Sequence, residues 1–211
     1  MSPLRETLGR RFSRLTTNAV MRNPRLWGVF RGPMRRLFDD LAPRWQDMRS
    51  GDAMAPLEAG LDRLGRTPRR VLDLGTGTGL GAVAIAHRFP EAEVVGADVS
   101  PKMIEEARGN IPPELRDRLR FEVADASALP YDDEEFDLVA HANMFPFFDE
   151  LDRVLAPGGH ALFSFSGGPA TPIYVPPDRL RAELEGRGFT DFADFSAGQG
   201  TGFLARKAGG A

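Results

Sequence analysis

Cysteine is absent from the 211-residue sequence. Disulfides, thiolate metal sites and cysteine nucleophiles are therefore excluded, and a reducing cytoplasm is the natural compartment. No apolar run is long enough to cross a bilayer. The opening MSPLRETLGRRFSRL has neither the continuous apolar stretch nor the small-residue cleavage site of a secretory signal, and its Arg-rich, acid-poor character bears only a weak likeness to a transit peptide. Acids are scarce at the start: through Arg36 there are nine arginines against the single acid Glu6, although the whole chain has a net charge of −3. The basic character is local, so a global polyanion-binding surface is not indicated.

What is present suits one domain with a full core and a short extension, with no room for a second substrate domain. Leu4, Leu8, Phe12 and Leu15 recur at helical spacing, with Arg5, Arg10 and Arg14 elsewhere around the same helix. A second helix is expected from about Met34 to Met48, broken near Pro43, and a third from Pro56 to Leu64. From Arg70 the pattern changes to short apolar strands alternating with helices: VLDL, LGAVAIAHRF, AEVVGAD, PKMIEEAR, LRFEVAD, FDLVAHA, FFDELDRVL and HALFSFS. That alternation argues for crossover units and a parallel sheet buried on both faces. After a helix near Asp178 to Glu185, GFTDFADFS and GTGFLARK are two alternating segments joined by Gly-rich residues, which predicts an antiparallel pair.

The sharpest feature is VLDLGTGTG at residues 71–79. Between a strand and a helix, Gly75 to Gly79 form a turn at the carboxyl edge of the sheet, where open α/β sheets bind ligands. Glycines there admit unusual dihedrals and let a ligand lie against the main chain. Gly77, Gly79 and Ala82 also satisfy the dinucleotide G-x-G-x-x-A pattern, with Asp98 closing the second strand where a ribose-binding acid belongs. Taken alone, the motif leaves the cofactor open. Two further carboxylates favour a cationic, adenine-bearing ligand: Asp73, within the strand end, can help bind an ammonium group but disfavours a pyrophosphate, and Asp125 in VADASALP can accept from an adenine amino group.

With these blocks in order, the chain resembles the class I S-adenosylmethionine-dependent methyltransferases, nearest the small-molecule branch that includes ubiquinone and menaquinone C-methyltransferases. The resemblance covers roughly Arg70 to Phe165: VLDLGTGTG is similar to the cofactor loop, GADVSPKMIEEAR to the ribose-binding turn, DASALPYDDEEFDLV to the adenine-side block and RVLAPGGHALFSF to the last core block. It implies a Rossmann-like α/β fold with a seven-stranded, mostly parallel sheet in the order 3-2-1-4-5-7-6 and helices on both faces, in a methyltransferase domain over 67–211; the helical segments before it are expected to form an extension or lid over residues 1–66. It implies S-adenosyl-L-methionine as cofactor and S-adenosyl-L-homocysteine as product. Asp73 and Gly75 would then line the methionine end, with Thr76, Gly77, Thr78 and Gly79 contributing backbone. Asp98 would accept the ribose hydroxyls, Val99 and Met103 flank the adenine, Asp125 and Ala126 read its edge, and Asn143 approach the sulfur region.

Methyl transfer from a sulfonium is an in-line displacement in which positioning and water exclusion can carry most of the catalysis. His141, at the end of the fourth strand, is the histidine nearest the expected site and the candidate base, should the acceptor need one; a packed strand-end residue is the alternative. His87 and His160 fall away from the crevice. Where the family commonly has a double histidine, this chain has NMFPFF, so Met144, Phe145, Phe147 and Phe148 are candidates for an acceptor wall, as is Tyr174 in the loop GGPATPIYVPP; each can equally be core or connector. The Asn-Pro-Pro-Tyr type motif of nucleic-acid amino methyltransferases is absent, which argues against a nucleic-acid substrate; the acceptor expected is a small, apolar or aromatic molecule. No metal is expected. The Arg-rich arm can touch an anionic membrane weakly or bind an acidic substrate; the reading favoured by so short a helix is that its apolar face covers the active site or a partner subunit. The rivals are a nicotinamide-dependent oxidoreductase and a non-catalytic module that binds the cofactor.

Overall fold

The computed structural model describes residues 3–46 and 52–209, with side chains from residue 7 onward. Seven strands form one sheet among the described residues: β1 (Arg70–Leu74), β2 (Glu93–Asp98), β3 (Leu119–Val123), β4 (Phe136–Ala142), β5 (Leu155–Phe165), β6 (Phe189–Ala197) and β7 (Gly200–Lys207). The order is β3-β2-β1-β4-β5-β7-β6. Strands β1 to β5 pair in parallel, and β7 runs antiparallel to both β5 and β6. This is the architecture anticipated from the alternating strands and helices.

Both faces of the sheet are covered, which is why its central strands read as continuous apolar runs. On one face Val71, Val94, Leu138 and Leu162 pack with α3 (Ala55–Leu61), α4 (Leu80–Arg88) and α5 (Pro101–Gly109). On the other, Leu72, Val139, Phe163 and Phe203 join residues of α1 (Pro3–Arg22), α2 (Trp27–Leu41), α6 (Phe148–Val154) and α7 (Pro177–Glu185). Helix α3 belongs tightly to the sheet: a Cβ on Gly60 would lie 2.3 Å from Leu162 Cδ1. Helices α1 and α2 instead form an arm over the carboxyl ends of the strands.

Three sequence expectations shift in the N-terminal helices. The second helix begins earlier, at Trp27, passes through Pro33 and ends at Leu41, followed by a 3-10 turn at Ala42–Arg44. Pro33 removes one helical N–H; the carbonyl deprived of it belongs to Val29, which is exposed. The expected end at Met48 lies outside the described residues. The third helix ends at Leu61 rather than Leu64. The apolar stripe of α1 does not face inward: Leu8 and Leu15 are 54% and 66% exposed, while Ser13, Thr16, Thr17 and Val20 are buried. Phe12 turns along the arm to meet Phe30, with ring centroids 6.2 Å apart. The side chains of Leu4 and Arg5, assigned to the same helix, lie outside the described residues.

Candidate active site

Strand β1 delivers the chain to Gly75, where a left-handed backbone (φ 73°) starts the turn, and Gly77 (φ 56°) and Gly79 (φ 89°) continue it. Such dihedrals strain residues bearing a Cβ. Space is equally restrictive, since a Cβ on Gly75 would lie 2.7 Å from Met144 Sδ, and one on Gly77 3.0 Å from Trp45 Nε1. The next turn is set by Ser100, whose hydroxyl caps α5 by accepting from the Met103 N–H at 3.1 Å, with Pro101 as the first helical residue.

These turns and the arm enclose a cavity of about 300 Å³. Of the residues expected to bind cofactor, Gly75, Gly77, Asp98, Val99, Met103, Ala126 and Asn143 line it, as do Met144 and Phe145 from the expected acceptor wall. Asp98 is the polar centre. Its Oδ2 accepts from the Gly77 N–H at 3.0 Å and its Oδ1 from the Ser100 N–H at 2.9 Å. Burial pushes its pKa up to about 6, against the lowering effect of those two amides. Asn143 has φ 54° and accepts through Oδ1 from the Ser166 N–H and hydroxyl, tying the ends of β4 and β5 together at the cavity wall.

Other expected residues lie elsewhere. Asp73 is fully buried and does not line the cavity: Thr76 Oγ1 donates to its Oδ2 at 2.6 Å, and a Cβ on Gly81 would lie 3.0 Å from that oxygen. The carboxylate therefore lies against the first turn of α4, where the helix dipole favours a negative charge. Thr76 and Thr78 are buried beneath the turn, and Gly79 abuts Phe121, where an added Cβ would lie 2.5 Å from Cζ. Phe147 and Phe148 are core residues, the first meeting Trp27 edge-on at 5.6 Å and the second lying under the Arg187 guanidinium. Tyr174 meets Phe165 edge-on at 5.1 Å, outside the cavity.

His141 is the clearest departure from expectation. Its ring is buried and stacked on Phe163, with centroids 4.7 Å apart, and it does not line the cavity. Burial drives its pKa down to about 3. This strand-end histidine is a packed neutral core residue, the alternative weighed for it. Asp125 is also occupied: Oδ1 accepts from Trp27 Nε1 at 2.8 Å and from the N–H and hydroxyl of Ser127, while Oδ2 accepts from Arg31 Nη1 at 2.7 Å. These contacts, with the Arg31 charge, lower its pKa despite the desolvation that opposes them.

The arm supplies the wall that sequence patterns did not identify. Trp27, Met34, Leu37, Phe38, Leu41 and Trp45 line the cavity. Besides the Asp125 contacts, Asp39 Oδ1 accepts from Ser100 Oγ at 2.6 Å, and Arg10 and Arg14 donate to the carbonyls of Ala170 and Thr171 at 3.0 and 2.8 Å. Among the described residues no group of three or more His, Asp or Glu side chains could hold a metal ion.

The cavity fits an adenosyl cofactor on its own chemistry. Each Asp98 oxygen receives one backbone donor, so the buried carboxylate retains acceptor sites for a pair of hydroxyl donors. The glycine turn leaves main chain where a Cβ would obstruct, and the walls beside it are apolar. Asp125 fits less directly, because an adenine amino group would have to share or replace a donor from the arm.

A methyltransferase-domain family model matches residues 71–159. The chain is similar to the demethylmenaquinone methyltransferase of Deinococcus radiodurans, at 34% identity over 67% of this chain and 63% of the relative. It is also similar to that of Thermus thermophilus, at 41% identity over 58% of this chain and 61% of the relative. The chain thus spans about three fifths of the length of these curated relatives. A solved S-adenosylmethionine-dependent methyltransferase from Aquifex aeolicus superposes with a TM-score of 0.62 at 17% identity, covering 78% of this chain and 97% of that one.

Proposed function

We propose that this chain is a class I S-adenosylmethionine-dependent methyltransferase, as its similarity to that family supports, and that it methylates a small apolar or aromatic acceptor within the cavity under its N-terminal arm. The observation that carries the reading is the convergence of Gly75, Gly77, Asp98 and Ala126 on a crevice whose other walls are mainly apolar. In this assignment Asp98 holds the ribose hydroxyls, the glycine turn and Asn143 accommodate the methionine part, and Val99, Met103 and Ala126 contact the adenine. Thr76 and Asp73 hold the turn from beneath. S-adenosylmethionine, when bound, supplies an already activated methyl group.

The chain's own contribution is positioning and the exclusion of water. Leu37, Phe38, Met144 and Phe145 offer an acceptor mainly dispersion and ring contacts, which favours an apolar or aromatic group over a charged one. His141, neutral and walled off by Phe163, has no part as a base in this assignment. The lid is the pair α1 and α2; because α3 packs on the sheet and serves the methyltransferase body, we place the domain boundary ahead of Ala55 and not at residue 66. The lack of cysteine suits a reducing compartment, and we assign the cytoplasm on that ground.

The direct test is a thermal-shift comparison with S-adenosylmethionine, S-adenosylhomocysteine, NAD and NADP. At a hundredfold excess over Kd a ligand adds about 2.7 kcal/mol, raising the midpoint by roughly 2–4 °C per kcal/mol for a chain of this size. Stabilisation by the two adenosyl-sulfur compounds alone is expected. Stabilisation by NAD or NADP alone would overturn the assignment in favour of an oxidoreductase, and binding without turnover across an acceptor panel would favour a non-catalytic module.

A further inference from the structure

At the opposite edge of the sheet, near the amino ends of β4 and β5, lies a second cleft bordered by Arg63, Arg66, Gly158, His160, Asp191 and Arg206. It shares no residue with the cavity under the arm. His160 and Arg206 are register partners on adjacent strands, while Arg63 and Arg66 come from the segment linking α3 to β1.

His160 is only 8% exposed, and its ring, which makes no hydrogen bond among the described residues, borders the cleft. The guanidiniums around it are partly used. Arg66 Nη2 pairs with Asp137 at 2.5 Å, Arg206 Nε donates to Asp191 Oδ2 at 2.6 Å, and Arg63 lies 4.4 Å over the Phe195 ring and donates Nη1 to the Ala59 carbonyl at 2.7 Å. Three cations thus meet two carboxylates, and each guanidinium retains N–H groups beyond those contacts. Asp191 keeps its place on Arg206 from a left-handed backbone conformation (φ 52°), in the irregular stretch between Thr190 and Ala193.

We propose that this cleft binds a phosphoryl group, its oxygens accepting from the His160 ring N–H and from the spare guanidinium N–H groups of Arg63, Arg66 and Arg206. A tetrahedral oxyanion suits donors converging from several directions, whereas a planar carboxylate is best met by one bidentate fork. Burial, then the neighbouring Arg66 and Arg206 charges, lower the pKa of His160, and a bound anion would oppose that effect. The site is independent of methyl transfer, so either assignment can fail without the other.

The three histidines of the chain make the test internal: His87 is exposed and His141 is buried in the core. Ring resonances are followed by carbon-proton correlation NMR, assigned through His160→Gln, during titration at constant ionic strength with inorganic phosphate, with glycerol 3-phosphate, and with chloride as control. Both phosphates should move the His160 signals saturably and leave His87 and His141 in place, and Arg206→Gln should weaken the response at least fivefold with the melting profile preserved. Should that variant not fold, Arg66→Gln serves the same purpose. Tighter binding of the ester identifies a phosphorylated metabolite, and tighter binding of inorganic phosphate the free ion. His160 signals that stay still, or that follow chloride and His87 equally, would overturn the proposal.

Discussion

Asp98 places a carboxylate on the wall of the cavity and gives it two backbone donors, one on each oxygen. Its pKa is raised from 3.8 to about 6 by burial, so the folded chain holds this proton more tightly than the unfolded chain does. The sign follows from linkage: without ligand, this group's contribution to stability is greatest in acid and is lost as pH rises from about 3.8 to about 6. Hydroxyl donors from a ribose favour the ionised form and offset that loss. Affinity for S-adenosylhomocysteine should therefore be flat above neutrality and fall below a pH of about 6, as calorimetric titration across pH can check. Asp98→Ala should weaken binding by about 1–3 kcal/mol through the lost hydroxyl acceptors, and a folded variant with unchanged affinity would remove the ribose assignment. Residues missed or misplaced at this scale share one cause: Asp73 and His141 were assigned from their strand-end positions, but their side chains go respectively under α4 and against Phe163. Position along a strand identifies the edge a residue reaches, while its immediate packing decides whether it meets the ligand.

Among the elements, the strands and the Gly75 and Ser100 turns were legible because their signals are local: apolar runs, glycines and a Ser-Pro cap. The antiparallel end, β6 and β7, was equally readable from its alternation. The arm's helices were expected as a lid, but its contacts were not legible, since they cross long stretches of chain, as in the Trp27 to Asp125 bond spanning 98 residues. Its first helix also buries Thr17, whose hydroxyl is satisfied by the Ser13 carbonyl at 2.9 Å, in place of the leucines that amphipathic patterning favoured. Inside the sheet, the glycine turn depends on a missing side chain on β2: a Cβ on Gly96 would lie 2.5 Å from Phe121 Cδ1 and 2.8 Å from Thr76 Oγ1. Gly96→Ala should destabilise the protein by roughly 1–3 kcal/mol in urea unfolding and weaken cofactor binding with it, because Thr76 holds Asp73 under the turn. An unchanged midpoint would mean that the Phe121 ring yields without strain.

Across the whole molecule, exposed apolar side chains are unevenly distributed. Of the five large ones among the described residues, Leu8, Leu15, Leu26 and Val29 are on the arm, interspersed with the exposed Arg11, Arg22, Arg25 and Arg31. Among the described residues no helix is long and apolar enough to cross a membrane. The mixture suits shallow seating on an anionic surface, where each arginine near the lipid contributes about 1 kcal/mol. Sedimentation with vesicles containing phosphatidylserine should capture the protein at low salt and release it at high salt, while neutral vesicles leave it in solution. Leu8→Asp with Leu15→Asp should abolish capture while preserving cofactor affinity, and failure to bind anionic vesicles at low salt would leave the arm's outer face merely solvated.

The same arm brings Trp27 and Trp45, the two tryptophans of the chain, to the wall of the cavity. Near-ultraviolet emission from the intact protein therefore originates at the place where ligands would enter. Excitation at the red edge of indole absorption selects these two rings over tyrosine, so an unlabelled sample is its own optical gauge of occupancy and of arm movement on the stopped-flow timescale.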